Sequence, residues 1–264
     1  MRKIWLCRVV LVSSALLLCT IGLPVQAQQS QTIKTETELI LALVKTSETP
    51  NEITNLLHTN ATLVTENLWE TLMALAAQKF YQSSNQAFQL YDLAREVALQ
   101  LKDQKRLAKT YYNIARSHSG LGNYDKATAA YLESRKAFEA AASERDLIYI
   151  LSDLGLISLI QERYDDAREY SESSISLAER LKNSTASAGA WPDAFGIAGS
   201  LRTLGELSLR NGDIDQAISQ FQRALNFLNE LNRDRGYDFY VTEAFAGLGR
   251  VIRPLAITSE RLWL

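Results

Sequence analysis

Two histidines, His58 and His118, are the only imidazoles that the sequence offers for acid–base chemistry. A hydrolytic nucleophile needs such a base within hydrogen-bond reach, and a metal site needs several ligands together. His118 falls on one face of a predicted helix with Tyr111, Ile114 and Ala115. His58 lies near the end of a short predicted helix, where a cation interacts with the helix dipole. We therefore expect no catalytic residue, no metal site and no cofactor.

Other patterns that resemble chemical sites have simpler explanations. Gly120-Leu121-Gly122 and Gly247-Leu248-Gly249 resemble pieces of phosphate-binding loops, but no strand precedes them and neither completes the motif. Asp165, Asp166 and Glu169 could suggest a cation site. We interpret them as the solvated face of a helix.

The first 27 residues have the pattern of a secretory signal peptide. A basic start precedes an apolar run over 9–23 and a small-residue cleavage site at Val25-Gln26-Ala27. We expect cleavage after Ala27 and an exported protein, periplasmic or extracellular. The alternative is an uncleaved N-terminal segment that anchors the chain in a membrane.

Removal of the signal peptide changes what the mature chain can do. Both cysteines, Cys7 and Cys19, leave with it, so neither disulfides nor thiolate chemistry remain. Three of the 28 Lys and Arg residues are also removed. The mature chain then has 25 Lys and Arg and 30 Asp and Glu, a formal net charge of −5. Such a charge disfavours nucleic acid as a partner.

Helices must position any functional side chain, because the composition favours them. Only 4 prolines and 12 glycines occur in 264 residues. Alanine and straight-chain residues, which lose little rotamer freedom in a helix, are abundant. The fold class predicted from composition is all-α.

A repeat sets the register of these helices. Ala87, Ala127, Ala167 and Ala217 recur at intervals of 40, 40 and 50 residues, each on a helix that packs against the preceding one. The best-marked unit covers 109–138. The predicted organisation is a signal peptide at 1–27, a linker with short capping helices at 28–68, a repeat domain at 69–253 and a C-terminal tail at 254–264.

Smaller features complete the predicted repeat domain. Residues 36–64 are expected to form one or two short helices, the second opened by a capping box at Thr49-Pro50-Asn51-Glu52. The first repeat is expected to be degraded, over 71–94. A loop is predicted over 183–200, and a first helix near 243–252 lacks its partner helix.

The units resemble tetratricopeptide repeats (TPRs), in the residues YNIARSHSGLGNYDKATAAYLES, LSDLGLISLIQERYDDAREYSESS and LRTLGELSLRNGDIDQAISQFQRAL. The resemblance implies a right-handed α-solenoid of antiparallel helix pairs. It places His118 in a slot that usually holds an aromatic ring, so a packed imidazole is expected. Small residues at Ala115, Gly155 and Gly205 would let paired helices approach. A period of 40 instead of 34 residues predicts longer helices, by about 1.7 turns per repeat.

Long-period arrays of this kind resemble those placed ahead of CHAT-type caspase-like protease domains in bacteria. A regulatory arm of a larger hydrolase is therefore the alternative function. The ending from Arg253-Pro254 to Leu264 stops within a repeat, which motivates that alternative. A third hypothesis is self-association, in which the unpaired C-terminal helix and Trp263 dock on another copy.

The resemblance also implies a concave groove lined by the first helices. The groove-facing slots of the family correspond to Trp69, Leu72, Met73, Lys79 and Phe80, to Lys109, Tyr112, Asn113, Arg116 and Ser119, to Tyr149, Asp153, Leu156, Leu159 and Ile160, to Arg202, Thr203, Glu206, Leu209 and Arg210, and to Glu243, Arg250 and Arg253. The candidate partner-binding residues among them are Lys109, Tyr112, Asn113, Arg116, Asp153, Arg202 and Glu206.

Asn113 stands where family members use an asparagine to hold the backbone of a ligand. Lys109 and Arg116 flank it and could hold an acidic segment or a chain terminus by charge-assisted bonds. Asp153 replaces the next asparagine and no matching basic pair follows, which argues against a receptor for chaperone tails. The alternative is that these polar residues only solvate an open groove. We expect a scaffold that binds a protein or peptide, with no nucleic acid and no small-molecule substrate.

Overall fold

The computed structural model describes residues 33–46, 49–184 and 194–231, together with residues 246, 247 and 249. Its elements in these ranges are ten α-helices and a short 3-10 helix at Ala61–Leu63, with no strand. The helices are α1 Glu36–Lys45, α2 Pro50–Thr59, α3 Glu66–Phe80, α4 Ser84–Gln100, α5 Gln104–Gly120, α6 Tyr124–Ala140, α7 Glu144–Ile160, α8 Tyr164–Ser184, α9 Ala194–Arg210 and α10 Ile214–Leu231. The predicted all-α fold class is confirmed.

Several predictions fall on other parts of the chain. The signal peptide, the C-terminal tail with Trp263, and the groove positions Glu243, Arg250 and Arg253 lie outside the described residues, as does the middle of the predicted loop, 185–193. In the described ranges, none of the helices combines the length and apolar character that a membrane-spanning segment requires.

Two compact units divide the chain, residues 1–121 and residues 122–264. Unit 1 contains α1 to α5, and unit 2 contains α6 to α10. The division after Leu121 falls within the predicted repeat domain, 69–253, and the sequence pattern did not indicate it.

In unit 1 the short helices α1 and α2 pack on the longer ones, α1 on α3 and α4 and α2 on α4. A capping box opens α1, since Thr35 accepts the Glu38 backbone N–H and the Glu38 carboxylate accepts the Thr35 N–H. Pro50 occupies the first position of α2, as predicted. The box predicted at Thr49 is wrong, because its side chain accepts no backbone N–H of α2. The Thr49 hydroxyl instead lies 2.7 Å from the Glu52 carboxylate and 2.9 Å from the Thr46 carbonyl, both acceptors.

In unit 2 the helices pack in antiparallel pairs, α7 with α8 and α9 with α10, and α9 also packs on α7. The predicted close approaches at Gly155 and Gly205 are confirmed. A Cβ atom at Gly155 would lie 2.5 Å from the Ser171 hydroxyl oxygen, and one at Gly205 would lie 2.8 Å from the Phe221 ring. Only a glycine lets the helices come this near.

The alanine register of the repeat is confirmed in both units. Ala87, Ala127, Ala167 and Ala217 are each the fourth residue of their helices, α4, α6, α8 and α10, and each is at most 1% exposed. Helices α4 to α7 are each 17 residues long, in agreement with the long helices that a 40-residue period predicts.

Helix ends are set by turns with a left-handed residue. Gly122 and Gly212 have φ of 74° and 82°, but Lys102, Ala142 and Glu162 occupy the same conformation without being glycine. After α9, the Asp213 N–H bonds the Ser208 carbonyl at 2.9 Å, which is the six-residue hydrogen bond of a Schellman motif.

Two predicted boundaries change. The loop predicted over 183–200 is shorter, because α8 continues to Ser184 and α9 begins at Ala194. The first repeat extends beyond the predicted 71–94, since α3 and α4 together cover 66–100 and bury Leu68, Leu75 and Leu93.

Candidate functional site

Helix α5 in unit 1 is the most basic of the described helices. It carries Lys105, Arg106, Lys109 and Arg116, and no Asp or Glu between residues 104 and 120. Asp103 caps its N-terminus by accepting the Arg106 backbone N–H at 2.9 Å. The helix therefore presents positive charge that no acidic residue of its own neutralises.

Four of the predicted site residues lie on one side of α5. Lys109, Tyr112, Asn113 and Arg116 have the i, i+3, i+4, i+7 spacing that aligns side chains along a helix. Lys109 and Arg116 are exposed, and Tyr112 and Asn113 are half-buried. We call these four residues the α5 polar surface.

Local contacts order the α5 polar surface. The Asn113 side-chain N–H donates to the Lys109 carbonyl at 2.8 Å. The Arg116 guanidinium lies 5.7 Å from the centre of the Tyr112 ring, in a cation–π contact. The Asn113 amide and the Arg116 guanidinium are thus oriented, and Lys109 extends the surface to about two turns of helix.

One turn earlier on α5, Arg106 joins a network that reaches α3. Its guanidinium pairs with the carboxylates of Asp103 and Glu66 and lies 5.6 Å from the centre of the Trp69 ring. The Trp69 indole N–H donates to the Thr110 hydroxyl at 2.9 Å, and that hydroxyl donates to the Arg106 carbonyl. Trp69 is only 9% exposed, so the network fixes α3 against α5 beside the α5 polar surface.

Asp103 has a perturbed pKa. Partial burial disfavours its charged form, but hydrogen bonds from the Arg106 backbone and side chain, together with the guanidinium charge, outweigh that effect. The pKa of Asp103 is therefore lowered, and its carboxylate stays ionised near neutral pH.

The two histidines lie at the positions predicted for them, His118 packed on a helix face and His58 near a helix end. His118 stacks on Phe88 of α4, with ring centroids 4.2 Å apart and planes inclined by 19°. His58 is exposed in the last turn of α2. Among the described residues, no group of three or more His, Cys, Asp and Glu side chains could hold a metal ion.

The remaining predicted site residues belong to unit 2. Asp153 of α7 accepts a hydrogen bond from the buried Tyr131 hydroxyl at 3.0 Å, so at least one of its oxygens is engaged in packing α6 against α7. Arg202 and Glu206 lie one turn apart on α9 and are half-buried. The structure therefore groups four of the seven predicted residues on α5 and places the other three in a different unit.

Four groove positions were predicted wrongly, because their side chains are buried between helices. They are Trp69, Leu72, Leu159 and Thr203, which are 9%, 0%, 7% and 1% exposed. The Thr203 hydroxyl also donates to the Gly199 carbonyl, one turn earlier on α9. Where adjacent first helices pack closely, the family's groove slots become core positions.

Comparison with known proteins identifies the helical units. A family model described as tetratricopeptide repeat matches residues 108–142. Residues 108–142 are therefore a tetratricopeptide repeat. No curated protein sequence matches it significantly.

Solved structures with TPR-like folds agree with this result. BtubC (BKLC) from P. vanneervenii is 21% identical, with a TM-score of 0.61 over 85% of this chain and 85% of that one. Aspartyl phosphate phosphatase F from Bacillus subtilis is 16% identical, with a TM-score of 0.57 over 89% of this chain and 64% of that one. At these identities the likeness shows the fold alone, a TPR-like helical solenoid.

Arg106 is the functional candidate that the TPR slots did not reveal. It precedes the first groove slot of its repeat, and its partner Glu66 lies 40 residues earlier in the sequence. The one available signal in the sequence was their separation, since Glu66 and Arg106 lie one repeat period of 40 residues apart and carry opposite charge.

Proposed function

We propose that this TPR protein is a scaffold that binds the acidic segment of a protein or peptide partner on the α5 polar surface. TPR units are protein-interaction modules, and this surface supplies the chemistry. The observation that carries the proposal is the alignment of Lys109, Asn113 and Arg116 on a helix without acidic residues.

Each side chain of the α5 polar surface has a distinct capacity. The Arg116 guanidinium, oriented by Tyr112, can bond a carboxylate with two parallel N–H groups, and Lys109 offers a point charge. The Asn113 amide can pair with a peptide group. Lys109 and Arg116 are about 10 Å apart along the helix. That distance matches about three residues of an extended peptide.

Export is the second part of the proposal, and the sequence supports it. The pattern of residues 1–27 is that of a cleaved signal, which would place the scaffold outside the cytoplasm of a bacterium. Mass spectrometry of protein expressed in a bacterial host tests this. A mature chain that begins at Gln28 is expected, and an intact N-terminus in a membrane fraction would favour the anchored alternative.

A binding experiment with defined peptides tests the α5 polar surface. Fluorescence anisotropy at low salt would compare labelled hexaglutamate with hexaglutamine on the mature chain. We expect hexaglutamate to bind more tightly and Arg116→Glu to weaken it about tenfold or more, since a hydrogen bond to a charged group contributes about 1.5–3 kcal/mol. Asn113→Ala should weaken it less.

A matched control separates the site from overall charge. Arg145→Glu makes the same charge change at an exposed position near the start of α7. Hexaglutamate affinity should be nearly unchanged in that variant. Equal losses in the two Arg→Glu variants, or no loss in either, would overturn the assignment to α5.

A further inference from the structure

Arg106 has the features of an additional ligand-binding cation. We propose that Arg106 is a second anion-binding residue beside the α5 polar surface, that Glu66 occupies it when no ligand is bound, and that a carboxylate of the bound partner displaces Glu66. This inference rests on the proposed function, because it assigns a further contact to the same acidic ligand.

The guanidinium of Arg106 is held in a defined place. It lies against Trp69, and Thr110 ties that indole to the backbone carbonyl of Arg106. The Arg106 side chain is 20% exposed, and its two terminal nitrogens are the atoms that meet the carboxylates of Asp103 and Glu66. A partly desolvated guanidinium in a fixed orientation is suited to a carboxylate.

The two carboxylates that pair with Arg106 differ in their surroundings. Asp103 is 27% exposed and is fixed by its role as the cap of α5. Glu66 is 70% exposed and stands in the first turn of α3. An exposed ion pair contributes little because water and salt screen it. Glu66 is therefore the partner that an incoming carboxylate can replace, while Asp103 keeps the guanidinium in position.

The position of Arg106 extends the α5 polar surface at one end. Arg106, Lys109 and Asn113 follow one another at i, i+3 and i+7 on α5. From Arg106 to Arg116 the helix rises about 15 Å. An extended peptide of about four or five residues covers that distance. The ligand chemistry expected is thus a short acidic run with carboxylates at both of its ends.

Removal of the Glu66 charge, which competes with the ligand for Arg106, gives a direct test. Glu66→Gln keeps the size of the side chain and removes its charge, so hexaglutamate should bind severalfold more tightly, with hexaglutamine unaffected. Glu70→Gln is the matched control, because Glu70 is an exposed carboxylate one turn further along α3. Adding Arg106→Gln to Glu66→Gln should abolish the gain. Circular dichroism checks that each variant remains helical.

The outcomes distinguish failure of the Arg106 inference from failure of the proposed function. If Arg116→Glu weakens binding and Glu66→Gln leaves it unchanged, Arg106 serves only to join α3 to α5, and the inference fails while the proposed function stands. Equal gains in Glu66→Gln and Glu70→Gln would also overturn it, since they would show a general charge effect. If Arg116→Glu has no effect on hexaglutamate, the proposed function itself fails.

Discussion

Replacement of Gly205 by alanine tests how closely α9 and α10 must approach. The Phe221 ring is fully buried, and a Cβ atom at Gly205 would lie 2.8 Å, 2.9 Å and 3.1 Å from its Cε1, Cζ and Cδ1 atoms. Optimal carbon–carbon contacts are about 3.5–4.0 Å. A Cβ atom at Gly247 would lie 2.6 Å from Cε1 of the same ring, so the ring has little room to withdraw in that direction.

The expected magnitude combines two opposing effects. Overpacking a core costs about 1–3 kcal/mol. Alanine in place of glycine within a helix contributes up to about 1 kcal/mol in the other direction. Because three atoms of a fully buried ring crowd the methyl group, the cost lies in the upper half of that range, and Gly205→Ala should lower the free energy of unfolding by about 1–2 kcal/mol. Gly120→Ala is the matched control, because its Cβ atom would lie 3.8 Å from the nearest Phe80 atom, an ordinary contact.

Thermal and urea unfolding followed by circular dichroism would measure both variants. We expect a lower midpoint for Gly205→Ala, and an unchanged or higher one for Gly120→Ala. Phe221→Leu alone should also lower the free energy of unfolding. The double variant should lose less than the sum of the two single losses, because the smaller side chain makes room for the methyl group. If Gly205→Ala were as stable as the unmodified protein, that result would contradict the close approach of α9 to α10 at Gly205.

Four further substitutions test local features of the fold. Ala142→Gly should stabilise by about 1 kcal/mol and Gly212→Ala should destabilise by a similar amount, because both positions have positive φ; urea unfolding that shows the same sign for both would contradict this. Asp103→Asn should lower stability at pH 7. Because the pKa of Asp103 is lowered by folding, its carboxylate stabilises the fold fully above the unfolded pKa of about 3.9. This stabilisation is lost as the pH falls through the folded pKa, so the stability deficit of Asp103→Asn should vanish in acid. A deficit equal at pH 7 and pH 2.5 would contradict the assignment. Tyr131→Phe removes the bond to Asp153 and should cost about 1–2 kcal/mol in thermal unfolding; no loss would mean that the bond contributes nothing.

The repeat register was predictable from sequence because it depends on residue size at fixed intervals. Ala87 and its equivalents could be found by spacing, and Gly155 and Gly205 could be assigned to close helix contacts. His118 was assigned to packing by its slot, and its stack on Phe88 agrees. Such features depend on a local pattern that repeats.

Other features depend on contacts that the pattern does not encode. Lys102, Ala142 and Glu162 end helices in a left-handed conformation that sequence reasoning expects of glycine or asparagine. The Arg106 network could not be predicted without knowing that α3 and α5 lie side by side at Trp69 and Glu66. The groove list failed at Thr203, because the glycines of α9 bring it against α7 and bury the slot.

Chemical-shift mapping on α5 tests the proposed binding surface most directly. The ¹⁵N–¹H spectrum of the mature chain would be followed as hexaglutamate is added at low salt. We predict saturable shifts that are largest at Lys109, Tyr112, Asn113 and Arg116, with none comparable over residues 194–231. Shifts that are largest outside α5, or that grow uniformly without saturation, would contradict the assignment of partner binding to this helix.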